Sequence, residues 1–321
     1  MTVMNRRAYV ILAVLAAIWG ASYLFIKIAL RDFGPVAVVG IRVTLGALVL
    51  LALPVTRTTL RLLRGRYHLV LGLALTQIVL PFLLITFGEK HVASSLVGIL
   101  IATQPMLVAV LAPLFGHDLR VGRRVWIGLT LGLVGVIALL GLDLAGDGDA
   151  LVAAGLILVA ALSYAVAIFL LRRWMPDVSP VGASGAMLVA SSLLLLPATL
   201  ATLPAQLPGA ASALSLLLLG TVGTGVAFLL YFVLLTDVGA GPAALVSYLT
   251  PPFSLAYGAL LLHEHVSAIA VAGLGFILVG AWLTTRKPRA TGAPGAARPG
   301  TAGPGTGAAA AVPREHAECA A

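Results

Sequence analysis

The sequence predicts an all-α integral membrane protein with ten transmembrane helices, arranged as two inverted five-helix repeats. Three observations lead to this prediction: the composition, ten long apolar stretches, and landmarks that recur about 145 residues apart. Sixty per cent of the 321 residues are apolar, 10% are charged, and the mean hydropathy is +1.09. A soluble domain carries about a quarter charged residues. The excess of apolar side chains therefore needs lipid around it.

Ten apolar stretches approach the length of about 20 residues that a helix needs to cross a bilayer. The first stretch follows a short basic segment and is too long for the core of a signal peptide, so we expect it to be a retained span. The predicted spans are 8–30, 35–54, 67–87, 92–115, 124–142, 150–171, 179–200, 212–235, 243–262 and 267–285.

The distribution of Lys and Arg predicts the orientation of these spans. If the N-terminus is inside, the outer connections contain Arg31 and Lys90 as their Lys and Arg residues. Most of the other Lys and Arg residues of the chain then fall in inner connections. Cytoplasmic connections are rich in Lys and Arg. We therefore expect a protein of the cell (cytoplasmic) membrane with both termini in the cytoplasm. The same clustering accounts for the net charge of +9 without a nucleic-acid partner.

The chain divides into residues 1–142, the first repeat, residues 150–285, the second repeat, and a tail of residues 287–321. The tail is rich in Ala, Gly and Pro and has few large apolar residues, so we expect a disordered cytoplasmic segment. A shift of 145 or 146 residues aligns landmarks of the two halves: Pro35 with Pro180, Gly128 with Gly273, and Pro105 with Pro251. A five-helix unit has an odd number of spans, so its second copy enters the membrane upside down. Inverted repeats place a substrate site near the midplane and permit alternating access.

Residues 16–50 (AAIWGASYLFIKIALRDFGPVAVVGIRVTLGALVL) resemble the first two helices of EamA-type members of the drug/metabolite transporter superfamily. Residues 103–118 and 250–264 resemble the family's motif that runs from a proline to an acidic residue at the ends of helices four and nine. The second copy has the usual Glu264, whereas the first has Asp118. This resemblance implies a ten-helix carrier that exports amino acids, other metabolites or drugs.

Arg42 is the strongest candidate for a substrate contact. It lies about seven residues inside the second span, which is roughly 10 Å at 1.5 Å per residue. A charge at that depth is costly and marks a functional site by default. Its guanidinium would hold a substrate carboxylate or phosphate. The alternative is a structural Arg bonded to helix-end carbonyls or to Glu89.

Five further residues are candidates for the substrate path. Lys27 lies one turn before the outer end of the first span, where it either extends to the interface or shares a gate with Arg42. Trp19 and Tyr164 are related by the repeat and lie near mid-span, so they form either cavity walls or packing contacts. Gln77 lies about ten residues into the third span, and Tyr248 is a further aromatic candidate.

Prolines and acidic residues near span ends supply candidates for movement and coupling. Pro105 and Pro251 are hinge candidates, with static kinks as the alternative. Asp and Glu are absent from all ten predicted spans. Ion coupling would therefore need Glu89, Asp118, Glu264, a histidine or the substrate itself, and uniport or exchange stays open.

We expect a secondary transporter that exports small metabolites such as amino acids by alternating access, with a small-molecule substrate and the lipid bilayer as its partners. We expect that the protein is not an enzyme and needs no cofactor, because the sequence has no cluster of acid, base, nucleophile or metal ligands. His263-Glu264-His265 lacks the His-Glu-x-x-His spacing of a zinc helix, so no metal is expected. A multidrug exporter of organic cations, a non-transporting accessory subunit and a homodimer remain alternatives.

Overall fold

The computed structural model describes residues 6–116, 123–140, 147–238, 243 and 245–285, and these residues form helices and their connections without a strand. The predicted tail (287–321) and Asp118 lie outside the described residues. In chain order, the helices are α1 Arg6–Ala29, α2 Pro35–Leu51, α3 Pro54–Leu62, α4 Tyr67–Gly88, α5 Ser94–Phe115, α6 Arg123–Ala138, α7 Gly148–Trp174, α8 Pro180–Ala201, α9 Ala210–Val238, α10 Val246–Leu261 and α11 Ala268–Thr285.

Six of these helices, α1, α4, α5, α7, α8 and α9, are long and apolar enough to cross a membrane. Helices α2 and α3 add a seventh span if they are counted together, although the chain bends by 100° between them. Helices α6 and α11 are apolar but shorter, and α10 has 16 residues. Each of the ten predicted spans coincides with one helix, which confirms an all-α chain with several membrane-scale helices. The number of ten spans stays a prediction.

Three of the long helices, α4, α5 and α9, contain an interruption of the regular α-helical hydrogen bonding. Helix α4 contains a π-helical segment at Leu75–Val79, and α9 contains one at Thr221–Val226. Helix α5 is broken between Ile101 and Gln104, one residue before Pro105. Proline removes a backbone donor and cannot continue the preceding helical turn. The two π segments lie at equivalent positions of the two halves.

Helix starts follow ordinary capping chemistry. Pro35 and Pro180 are the first residues of α2 and α8, where the missing N–H costs nothing and the fixed φ suits a helix. The Ser179 hydroxyl accepts from the backbone N–H of Gly182 at 3.2 Å. The Asp147 carboxylate caps α7 in the same way, accepting from Ala150 at 2.9 Å.

The contacts between helices have a two-fold pattern. Helix α1 packs on α9 and α10, and the corresponding helix of the second half, α7, packs on α4 and α5. The corresponding pairs α2 with α8 and α6 with α11 pack on each other. A two-fold relation between the halves produces this arrangement.

Glycines permit the closest of these approaches. A Cβ at Gly280 of α11 would lie 2.8 Å from the backbone nitrogen of Gly132 in α6, and one at Gly20 of α1 would lie 3.0 Å from the nitrogen of Ser254 in α10. Small residues let transmembrane helices pack backbone to backbone. Gly132, in the fifth predicted span, therefore permits close packing between α6 and α11 of this chain.

Candidate functional site

A cavity of about 250 Å³ lies among α1, α2, α4, α5, α7, α9 and α10. Its volume is close to the lower end of small-molecule pockets, about 300 Å³. Most of its wall is aromatic or aliphatic. The polar and charged side chains of the lining are Ser22, Arg42, Gln77, Gln104, Ser247 and Thr250, and its aromatic side chains are Trp19, Tyr23, Phe82, Tyr164, Phe228 and Tyr231.

Arg42 is the cation of the cavity lining, and it is only 8% exposed. Its Nε donates to the hydroxyl of Thr224 at 2.9 Å, and its Cζ lies 3.9 Å from the ring centroid of Phe82. No carboxylate of the described residues forms an ion pair with it. The observed partners are thus a hydroxyl and a ring, rather than the helix-end carbonyls or Glu89 of the structural alternative.

The π segments decide which side chains reach this site. Gln77 lies in the segment of α4, and Gly223 and Thr224 lie in that of α9. A π turn inserts an extra residue and rotates the side chains that follow it, and such turns are frequent at functional sites. The Thr224 hydroxyl donates to the carbonyl of Leu219, five residues earlier, at 3.0 Å. Its lone pairs remain available to the Nε–H of Arg42.

The structure brings four predicted substrate-path residues together, because Arg42, Trp19, Tyr164 and Gln77 all line the cavity. The ring of Trp19 lies 5.5 Å from that of Tyr231, and this pair joins α1 to α9 on one wall. Whether these residues contact substrate stays a prediction.

Lys27 and Tyr248 lie elsewhere. The Lys27 ammonium donates to the carbonyls of Glu89 at 2.7 Å and Val92 at 2.8 Å, so it ties α1 to the connection between α4 and α5. The Tyr248 hydroxyl donates to the carbonyl of Ala281 in α11 at 3.0 Å. Neither belongs to the cavity lining.

The two hinge candidates occupy different local settings. Pro251 lies inside α10 and lines the cavity. Pro105 lies at the start of the second half of α5, directly after the break, and its neighbour Gln104 lines the cavity. A hinge role for either stays a prediction.

The two acidic candidates within the described residues differ in their hydrogen bonds. The Glu264 carboxylate accepts from the backbone N–H groups of Ser94 at 2.7 Å and Ser95 at 3.0 Å, and from the Ser95 hydroxyl at 2.8 Å. It therefore caps the start of α5. Glu89 follows the last residue of α4, is 0% exposed, and has no hydrogen-bond partner for either carboxyl oxygen among the described residues.

Burial raises the pKa of the Glu89 carboxyl well above its usual value. The negative charge of Glu264 raises that pKa further, while Lys27 and Arg42 act against the shift without reversing it.

Sequence reasoning missed Phe82, which carries no signal for its contact with Arg42. Thr224 is a polar residue in an apolar span, which predicts a hydrogen bond to another helix, and the structure confirms that bond but identifies Arg42 as the partner. Both contacts form only when α2, α4 and α9 pack. A period of 3.6 residues also misassigns the faces of α4 and α9 after their π turns.

Residues 7–141 and 151–286 each match the EamA-like transporter family. The chain is 26% identical over 272 residues to "Uncharacterized transporter YoaV" of Bacillus subtilis (strain 168), covering 84% of this chain and 93% of the relative. It is 28% identical over 296 residues to a "Probable amino-acid metabolite efflux pump" of Salmonella typhimurium (strain LT2), covering 87% and 95%.

A solved crystal structure of a protein superposes with a TM-score of 0.61 at 19% identity, over 87% of this chain and 96% of the other. At this identity the likeness concerns the fold alone.

Proposed function

Because this chain belongs to the EamA-like transporter family, we propose that it is a secondary transporter of the cell membrane that exports small metabolites such as amino acids. It works by alternating access, with ten spans in two inverted five-helix repeats and both termini in the cytoplasm. The two-fold pattern of helix contacts and the equivalent positions of the two π segments support this arrangement. The family consists of transporters, so we expect no catalysed reaction.

The guanidinium of Arg42 is the observation that supports a substrate with a carboxylate group. It is nearly buried, lines the cavity and has no carboxylate partner in the described part of the chain. A buried charge without a counter-ion is costly, and a guanidinium binds a carboxylate through strong, directional hydrogen bonds. A substrate carboxylate therefore supplies the missing partner.

The rest of the wall suits a small amphipathic molecule. The rings of Trp19, Tyr164 and Tyr231 offer apolar surface, while Gln77 and Gln104 offer donors and acceptors. A few polar groups in an apolar cavity fix the orientation of a ligand. The name of the Salmonella relative points to the same substrate class.

The conformation supports access from the cytoplasm. With the N-terminus inside, the outer ends of the helices are joined by Lys27 and Glu264, each of which bonds to residues at or before the start of α5. The cavity lining reaches Val246, the first residue of α10, at the inner side. We therefore assign this conformation to the inward-facing state.

Export of organic cations is the second candidate, because aromatic walls favour cations through their π faces. Arg42 opposes it, since a like charge would repel such a substrate across a cavity of low polarity. An accessory subunit would show no flux by itself.

Flux from proteoliposomes tests the proposal. Vesicles with the purified protein are loaded with amino acids, organic acids and organic cations, and release is followed by mass spectrometry. We expect selective release of carboxylate-bearing compounds, its loss in Arg42→Ala, and its retention in Arg31→Ala, which removes an exposed arginine of the α1–α2 connection. Unchanged flux in Arg42→Ala would refute the role of Arg42, and release of organic cations alone would favour the second candidate.

A further inference from the structure

Glu89 is a buried carboxyl group that substrate binding by Arg42 does not use. It lies directly after α4, one helical turn beyond Ile85 of the cavity wall, and its own N–H donates to the Ile85 carbonyl at 2.8 Å. Its side chain is 0% exposed, and both oxygens lack a hydrogen-bond partner among the described residues. Helix α7 meets the adjacent Gly88 with the backbone carbonyl of Ala153 and the aliphatic side chain of Ile157.

The charged groups around Glu89 are engaged elsewhere. From α1, the Lys27 ammonium is bound by the carbonyls of Glu89 and Val92. From the α10–α11 connection, the Glu264 carboxylate is bound at the start of α5. From α2, Arg42 is held by a hydroxyl and a ring.

Three further titratable groups near Glu89 come from α1 and from its own segment. Tyr23 of α1 lines the cavity. Lys90 and His91, which follow Glu89 in the chain, are exposed. No residue in the described part of the chain donates a hydrogen bond to the carboxyl group.

An ionised carboxylate without a partner in a low-dielectric interior costs many kcal/mol, and such a group becomes neutral instead. Glu89 therefore carries a proton in this conformation. The direction of its pKa, raised mainly by burial, agrees with this conclusion. Glu264, in contrast, accepts three hydrogen bonds at the start of α5.

We propose that Glu89 is the proton-binding site of a proton-coupled exporter. This proposal rests on the proposed function and specifies what drives the export. When the outer side is open, the Glu89 carboxylate takes a proton from the outer water and becomes a neutral acid. The outer side then closes over it. Glu89 holds that proton in the closed conformation and releases it when water from the cavity reaches the carboxyl group, one helical turn beyond Ile85 of the cavity wall. One proton then moves inward for each substrate molecule that moves outward.

Lys27 provides the partner for the ionised form. Its ammonium already contacts the main-chain oxygen of Glu89 at 2.7 Å, so a small rearrangement brings it to the carboxylate. That rearrangement exchanges the bond to the Val92 carbonyl, two residues before the start of α5, for an ion pair with Glu89 at the end of α4, and so frees the start of α5 from α1. Deprotonation of Glu89 and opening of the outer side are thus linked.

The dependence on pH follows from the direction of the pKa shift. The closed conformation binds the proton more tightly than a state with an exposed glutamate. Its stability is fully present below the ordinary glutamate pKa and is lost as pH rises through the raised value. Alkaline conditions therefore favour opening of the outer side.

The test uses proteoliposomes loaded with the amino-acid pool, with the membrane potential clamped and the outside at equal or lower pH. At one proton per substrate, a gradient of one pH unit sustains about a tenfold substrate gradient at steady state. We expect this response in the wild type and in Asp177→Asn, which removes an exposed carboxylate. In Glu89→Gln the ratio of rates with and without the gradient should fall to about one.

A wild type that releases substrate without responding to the gradient would overturn proton coupling and leave the proposed function intact. A Glu89→Gln variant that keeps the response would overturn the assignment of the proton site to Glu89 and also leave the proposed function intact. No release at all from the wild type would count against the proposed function, and the coupling would fall with it. If Glu89→Gln is inactive, infrared spectroscopy decides. A protonated-carboxyl band at neutral pH that this variant loses supports the proposal, and a wild type without that band overturns it.

Discussion

Replacement of Thr224 by valine tests whether the fixed position of Arg42 matters for substrate binding. Thr224 is 1% exposed, and its hydroxyl is the one hydrogen-bond acceptor seen for the Nε–H of Arg42 among the described residues. Valine keeps the branched shape, so the methyl group that packs on Gly46 is retained. The substitution therefore removes the hydrogen bond to Arg42 and the bond that the hydroxyl donates to the Leu219 carbonyl within α9, while the shape of the side chain is kept.

The expected magnitude follows from the bond that is lost. A hydrogen bond to a charged group contributes about 1.5–3 kcal/mol, and 1.4 kcal/mol corresponds to a factor of ten. The ring of Phe82 still supports the guanidinium at 3.9 Å, so we expect the lower part of this range. The KM for released amino acids should rise about tenfold in Thr224→Val.

Initial rates of amino-acid release from proteoliposomes, measured over a series of loaded concentrations, provide the KM. Thr221→Val is the matched control, because Thr221 lies in the same π segment but outside the cavity lining, and its hydroxyl donates to the carbonyl of Leu217 at 2.7 Å. Equal KM values for the two variants would refute the reasoning that Thr224 positions Arg42 for a substrate.

Two further predictions concern the packing of the helices and the outer connections. Gly280→Ala should lower the free energy of unfolding by about 1–3 kcal/mol, because its Cβ would lie 2.8 Å from a backbone nitrogen of α6. Gly275→Ala is the control, because a Cβ there meets nothing within 4 Å. Thermal unfolding of the two variants in detergent compares their stabilities. The nearby Ser212 hydroxyl and the N–H of Gly209 lower the pKa of Asp32, and the Gly209 N–H donates to the Asp32 carboxylate at 2.8 Å. This contact is therefore present above the ordinary aspartate pKa and is lost as pH falls through the lowered value. Hydrogen exchange at the Gly209 amide should accelerate in that acid range, and Asp32→Asn should remove the acid-dependent step.

The helices were largely predictable from sequence, because a long apolar run carries its own signal. Each predicted span coincides with a helix, whereas α3 was not predicted. That helix is short and rich in arginine, and it depends on packing: Thr56 and Thr59 are buried, and a Cβ at Gly185 or Gly182 of α8 would collide with them. A contact of this kind between distant segments has no local signature.

The site was predictable only in part, for a related reason. Arg42, Trp19, Gln77 and Tyr164 could be selected because polar or aromatic residues at mid-depth are unusual in apolar spans. Lys27 had the same signal, but its bonds to two carbonyls depend on where the α4–α5 connection lies.

The asymmetry between the two halves argues that Arg42 is present for a purpose other than folding. The repeat relates Arg42 to Met187 and Thr224 to Thr76. Met187 is 2% exposed within an apolar cluster, and the Thr76 hydroxyl donates to the carbonyl of Gly72 at 2.9 Å. The fold thus accommodates this contact between helices without a charge in one of its two copies. A cation in the other copy makes one wall of the cavity positive, and a substrate carboxylate that binds there has a single preferred orientation.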